Sequence, residues 1–166
     1  GSMSSCRSQA FHSFENAIDA DPRNIEAWRR LIESAEYLYD RRERIRKLEA
    51  FVAEFPERAE ALVAAAEAAG ERGAFDKGVR FAHKAIALEP TNRSAHDLIS
   101  RLTVGKARKK AREGKLDVAR KLYLRAFDER PKCTQGQRLR ASGEIAAFLS
   151  SISEDDRVDG MFDEVN

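Results

Sequence analysis

Side chains able to do covalent or metal chemistry are few in this chain of 166 residues, and they stand far apart. His12, His83 and His96 have no cysteine or second histidine at the spacing a metal site needs. Cys6 and Cys133 are isolated thiols, too few for a disulfide framework and suited to a reducing cytoplasm or nucleus. No Gly-rich phosphate loop is present, and Gly70 and Gly73 punctuate a helical turn. The expectation is a non-catalytic protein with no metal and no organic cofactor.

Charge carries more information. Residues 101–140 hold 14 Lys and Arg against 4 Asp and Glu, whereas residues 141–166 hold 1 against 7. The basic block includes Arg101, Lys106, Arg108, Lys109, Lys110 and Arg112, six cations that could meet phosphates or an acidic protein segment. Aromatic residues for base stacking are scarce near it. The acidic end interleaves Glu154, Asp155, Asp156, Asp159, Asp163 and Glu164 with Ile152, Val158, Met161, Phe162 and Val165. Such a mixture is typical of segments that dock on a partner, so it is expected to fold onto a basic surface of the same or a neighbouring chain.

The elements that position these groups are announced by proline. Pro22, Pro56 and Pro90 are 34 residues apart, and Pro131 follows after 41. Upstream of each lies a face with four-then-three spacing: Ala10–Phe14–Ala17, Arg44–Leu48–Phe51, Gly78–Ala82–Ala85 and Ala119–Tyr123–Ala126. Proline donates no amide and biases the residue before it away from helix, so each segment stops there. Gly73 and Gly114 each precede their proline by 17 residues, where a turn between paired helices belongs. With 42% apolar and 35% charged residues and no alternating stretch, the class is all-α. No run approaches the roughly 18 apolar residues of a membrane helix.

These positions resemble the small–aromatic–small–Pro pattern of tetratricopeptide repeats, whose unit is about 34 residues. Trp28, Leu31 and Ala35 fall where that family places the key residues of its first helix; Leu62, Ala65 and Ala69 are a smaller version. Tyr39 and Arg44 depart from the pattern. The resemblance implies a short right-handed α-solenoid of antiparallel helix pairs and a protein–protein scaffold. It also implies a concave groove lined by Glu26, Arg29, Glu33 and Glu36 from one unit and by Glu60, Val63, Glu67 and Gly70 from the next. Arg29, Glu33, Ala64, Ser94 and Leu98 stand where the chaperone-tail-binding subfamily needs its basic and amide clamp, so that use is not expected. Ala119-Arg120, Tyr123, Arg125-Ala126 and Pro131 are similar to half-a-tetratricopeptide (HAT) repeats. That resemblance implies an alternative, a module of an RNA-processing complex touching RNA or an acidic partner through the basic helix.

Gly1-Ser2-Met3 reads as an expression scar, residues 4–152 as the repeat domain and residues 153–166 as an acidic tail. The first unit has only its second helix, which suggests a chain continuing upstream or self-association through that helix. The seven extra residues before Gly114 turn a helix about 700°, within about 20° of two full turns. They are expected to lengthen a helix from Thr91 to Arg112 and to project it as a basic rod, with Gly105 as a place to kink. Thr134 to Ile152 supplies a last helix with Leu139, Ile145, Phe148 and Leu149 on its apolar side.

Overall fold

The structure, a computed structural model, describes the backbone of residues 2–38 and 40–163 and the side chains of residues 9, 12–35, 40–129 and 131–152. Among these residues there are eight α-helices and no strand. The helices are α1 (Ser2–Ala20), α2 (Ile25–Leu38), α3 (Arg41–Glu54), α4 (Ala59–Glu71), α5 (Phe75–Leu88), α6 (Arg93–Arg112), α7 (Leu116–Glu129) and α8 (Gln135–Asp163). They form two compact units, Gly1–Glu89 and Pro90–Asn166. Within each unit, helices consecutive in the chain pack against each other across short loops, the αα-hairpin arrangement.

Proline acts as the spacing predicted. α1, α3, α5 and α7 each end two residues before their proline. In the first three, the residue preceding the proline still donates to the carbonyl four back: Asp21 to Ala17 at 3.0 Å, Phe55 to Phe51 at 3.0 Å and Glu89 to Ala85 at 2.9 Å. Proline has no amide to carry that ladder further. The next helices start on side-chain caps. Asn24 accepts from the Ala27 amide at 3.0 Å, Asp40 from Glu43 at 2.9 Å and Asn92 from Ala95 at 3.0 Å. Gly73 and Gly114 close α4 and α6 at φ +75° and +73°, the left-handed region in which glycine carries no Cβ penalty.

The core of the first unit gathers Trp28, Leu31, Ile45, Leu48, Phe51 and Phe55 with alanines of α4, and Phe14 and Ile18 of α1 pack on it. Trp28 stacks on Phe51 with ring centroids 5.6 Å apart, and its indole N–H donates to the Pro22 carbonyl at 2.9 Å. Arg44 is the exception to the small-residue rule because its guanidinium reaches out of α3 to the Glu71 carboxylate of α4. Tyr39 lies outside the described residues, as do the side chains of Cys6 and Ala10.

In the second unit the structure corrects several expectations. α6 is continuous through Gly105 from Arg93 to Arg112. Its added turns do not project: Val104 and Ala107 are buried with Ala119, Tyr123, Ala126, Ala141 and Ile145, and Ala111 packs beside them. Packing on both sides of Gly105 outweighs the roughly 1 kcal/mol that a mid-helix glycine costs. α8 is seated through Ala141 and Ile145, with Phe148 half-buried, while Leu139 and Leu149 are 68% and 39% exposed, off the covered side of the helix. The helical backbone of α8 runs on to Asp163. No helix of the described residues is long and apolar enough to cross a membrane.

Candidate functional site

The groove residues lie on the solvent side of α2 and α4, and they are not a bare acidic face. Arg29 bridges the two helices, donating from Nε to Glu60 Oε2 at 2.8 Å and from Nη2 to Glu60 Oε1 at 3.1 Å. Glu26 is 3.5 Å from the same guanidinium. These hydrogen bonds to Glu60, and then its charge, push the Arg29 pKa further above its ordinary value. Arg30 sits between Glu26 at 3.1 Å and Glu33 at 3.7 Å. Glu67 is half-buried one turn of α4 beyond Val63. The Glu36 side chain lies outside the described residues.

At the Arg29–Glu60 bridge the surface opens into a cleft of about 320 Å³ lined by Arg29, Glu57, Arg58, Ala59, Glu60, Leu88 and Glu89. Leu88, the last residue of α5, is 52% exposed there. The tetratricopeptide resemblance assigns Arg29 and Glu60 of this lining to a groove, but not Leu88 or Arg58. Both belong to the segments flanking a proline, where a helical period no longer tells which side is covered. Three carboxylates, two guanidiniums and one exposed apolar side chain can hydrogen-bond a polar backbone and seat a small apolar group. They have no nucleophile–base pair with which to do covalent chemistry.

The six basic residues of α6 are divided by the structure. Arg108 donates to both oxygens of Glu144 on α8, at 2.6 and 2.8 Å. Lys110 is 2.8 Å and Lys115 3.2 Å from Glu113, which holds that carboxyl below its usual range. Arg101, Lys109 and Arg112 are exposed, and Lys106 is half-buried. The basic cluster is thus partly neutralised within its own unit. Tyr123 is buried against Phe148, ring centroids 4.5 Å apart, and offers no face to a base.

Among the described residues no three His, Cys, Asp or Glu are grouped to hold a metal ion. The His96 ring is largely enclosed, with Nδ1 2.8 Å from the Glu129 carboxylate and Nε2 3.2 Å from the Pro90 carbonyl. It occupies the place in its repeat that Trp28 holds in the first, six residues after the proline whose carbonyl both rings approach.

No protein-family model and no curated protein matches this chain. Solved structures do. A MamA crystal structure is 17% identical with a TM-score of 0.54, over 93% of this chain and 87% of that one. Another is 17% identical with a TM-score of 0.53, over 91% of each. A fragment of MamA from Desulfovibrio magneticus RS-1 is 18% identical with a TM-score of 0.51, over 75% of this chain and 67% of that one. MamA is built of tetratricopeptide-like helical repeats, and at this identity the likeness is one of fold. The chain has the all-α architecture of paired helices in a tetratricopeptide-like array.

Proposed function

We propose that this chain is a non-catalytic scaffold that holds a peptide segment of a protein partner on the α2/α4 face of its first unit. The observation that carries this reading is the cleft at the Arg29–Glu60 bridge, where Leu88 stands exposed among charged groups. An apolar side chain of the partner would cover Leu88, while Arg29 and Arg58 donate to backbone carbonyls and Glu57 and Glu60 accept from amides or a basic side chain. Small-residue packing of α4 against α5 supports the reading, because it makes the cleft walls rigid before the partner arrives.

Selection of peptides from a random displayed library tests it. Sequences enriched on the native chain should carry an apolar residue next to a basic one and lose about tenfold or more in affinity against Leu88→Asp. Enrichment of the same sequences on native and Leu88→Asp chains would place binding elsewhere and sink the proposal.

A further inference from the structure

A second surface carries recognition chemistry that the α2/α4 face does not use. α7 buries Ala119, Tyr123 and Ala126. On its outer side Leu116, Leu124 and Phe127 are 43%, 47% and 41% exposed. With Arg120 they follow one another at steps of four, four and three residues, which sets them in one row along the helix. Arg120, Lys121 and Arg125 are exposed alongside, and none makes an ion pair with another described residue. They differ in this from Arg108, Lys110 and Lys115, which Glu144 and Glu113 compensate.

A ligand for this row must offer apolar side chains and carboxylates together. An uncharged apolar segment would leave three cations beside a dehydrated surface, and a purely acidic one would leave the leucines and Phe127 wet. The chain itself contains a sequence of that kind. Residues 153–166 bring Glu154, Asp155, Asp156, Asp159, Asp163 and Glu164 together with Val158, Met161, Phe162 and Val165, against Arg157 as the one cation. α8 is one unbroken helix to Asp163, and at about 1.5 Å per residue it carries this segment as far as roughly 27 Å from its seat at Ile145. α8 packs on the inner side of α7 through Phe148, and a helix unbroken to Asp163 has no turn to carry its end round to the outer row of α7 in the same chain.

We propose that the outer row of α7 is the docking site for the acidic 153–166 segment of a second copy of this chain. Exchange in both directions closes a two-fold dimer; exchange in one direction builds an open chain of copies.

Sedimentation velocity on the full chain tests the proposal, because both partners are present. At about 100 µM and low salt the chain is expected to sediment as a dimer or larger, reverting to monomer near 0.5 M salt as screening shortens to a few ångströms. Leu124→Glu should weaken self-association about tenfold or more, and circular dichroism should show the helix content unchanged, since the position is exposed. Two charge-reversed chains settle the partner: Arg120→Glu/Lys121→Glu and Asp155→Lys/Asp156→Lys are each expected to be monomeric alone and to associate when mixed. The proposal is overturned by a chain that stays monomeric at low salt, by self-association indifferent to Leu124→Glu, or by a mixture that remains monomeric. A monomer whose Arg120→Glu/Lys121→Glu variant loses affinity for a uridine-rich RNA oligonucleotide would overturn it too, in favour of nucleic acid.

Discussion

Cys133 shows how a side chain with reactive chemistry is taken out of use by its surroundings. Its sulfur lies 3.5 Å from the carbonyls of both His96 and Glu129, and the residue is buried between α6 and the start of α8. Burial first, then the charges of Asp97 and Glu129, push the thiol up to about 11. The folded chain therefore holds this proton more tightly than the unfolded chain does. Its contribution to stability is complete below the unfolded pKa of roughly 8.5 and is lost as the pH rises toward about 11. The reactive species is the thiolate, so alkylation of Cys133 near pH 8.5 should be about a hundredfold slower in the native chain than in urea. Mass spectrometry resolved by peptide separates it from Cys6, and equal rates in the two states would contradict the burial. That Cys133 has no second thiol near it along the chain was legible in the sequence. The carboxylates that keep it neutral were not, because Asp97 reaches it from α6, 36 residues upstream. Asp97 also pins the start of α8, where its carboxylate accepts from the Thr134 amide at 2.8 Å and from the Thr134 hydroxyl at 2.7 Å.

Among the elements, the backbone decides what a glycine is worth. Gly73 has φ +75°, and a Cβ added there would meet nothing within 4 Å. Gly143, inside α8, also has open space around a would-be Cβ but carries no positive φ. Alanine at position 73 must adopt the left-handed region at a cost of about 1–2 kcal/mol; alanine at position 143 should gain up to about 1 kcal/mol from helix propensity. Urea unfolding midpoints should thus fall for Gly73→Ala and rise for Gly143→Ala. A fall for both would mean that α8 is not helical at Gly143 in solution. Helix ends were the most legible part of this fold because proline and turn glycines act locally. Helix faces were less so. The spacing of α8 sets Leu139, which faces solvent, about 120° around the helix from Ile145, which is buried, but does not say which of the two sides is covered. The choice is made by Val104, Ala107 and Tyr123, on helices tens of residues away. The same packing holds α6 unbroken across Gly105, where propensity alone suggested a weak point.

At the scale of the molecule, each unit closes its own core. The Trp28–Leu48–Phe51 cluster lies wholly within the first 89 residues, and the Val104–Tyr123–Ile145 cluster wholly after Pro90. Stability in stacked helical pairs is a sum of local terms rather than one global quantity. Leu48 is 2% exposed at the centre of the first cluster, so Leu48→Ala should cost about 2–5 kcal/mol there. Native-state hydrogen exchange should then show protection in α2 to α4 falling about thirtyfold or more, while amides of α7 keep theirs. Equal losses in both units would mean that the chain unfolds as a single block. The face proposed for binding belongs to the first unit, where the tetratricopeptide resemblance assigns positions of α2 and α4 to a groove and the structure sets them toward solvent. Its electrostatics were not legible: counted along the chain, the carboxylates outnumber Arg29, yet one guanidinium placed between helices engages Glu60 and Glu26 at once. Destabilising the first unit should therefore reach the proposed peptide cleft directly, because α2 and α4 supply its walls and hold Arg29 against Glu60. Peptide affinity should fall with α2–α4 protection in Leu48→Ala, and self-association through α7 should survive. Loss of both together would show that the two surfaces depend on one cooperative core.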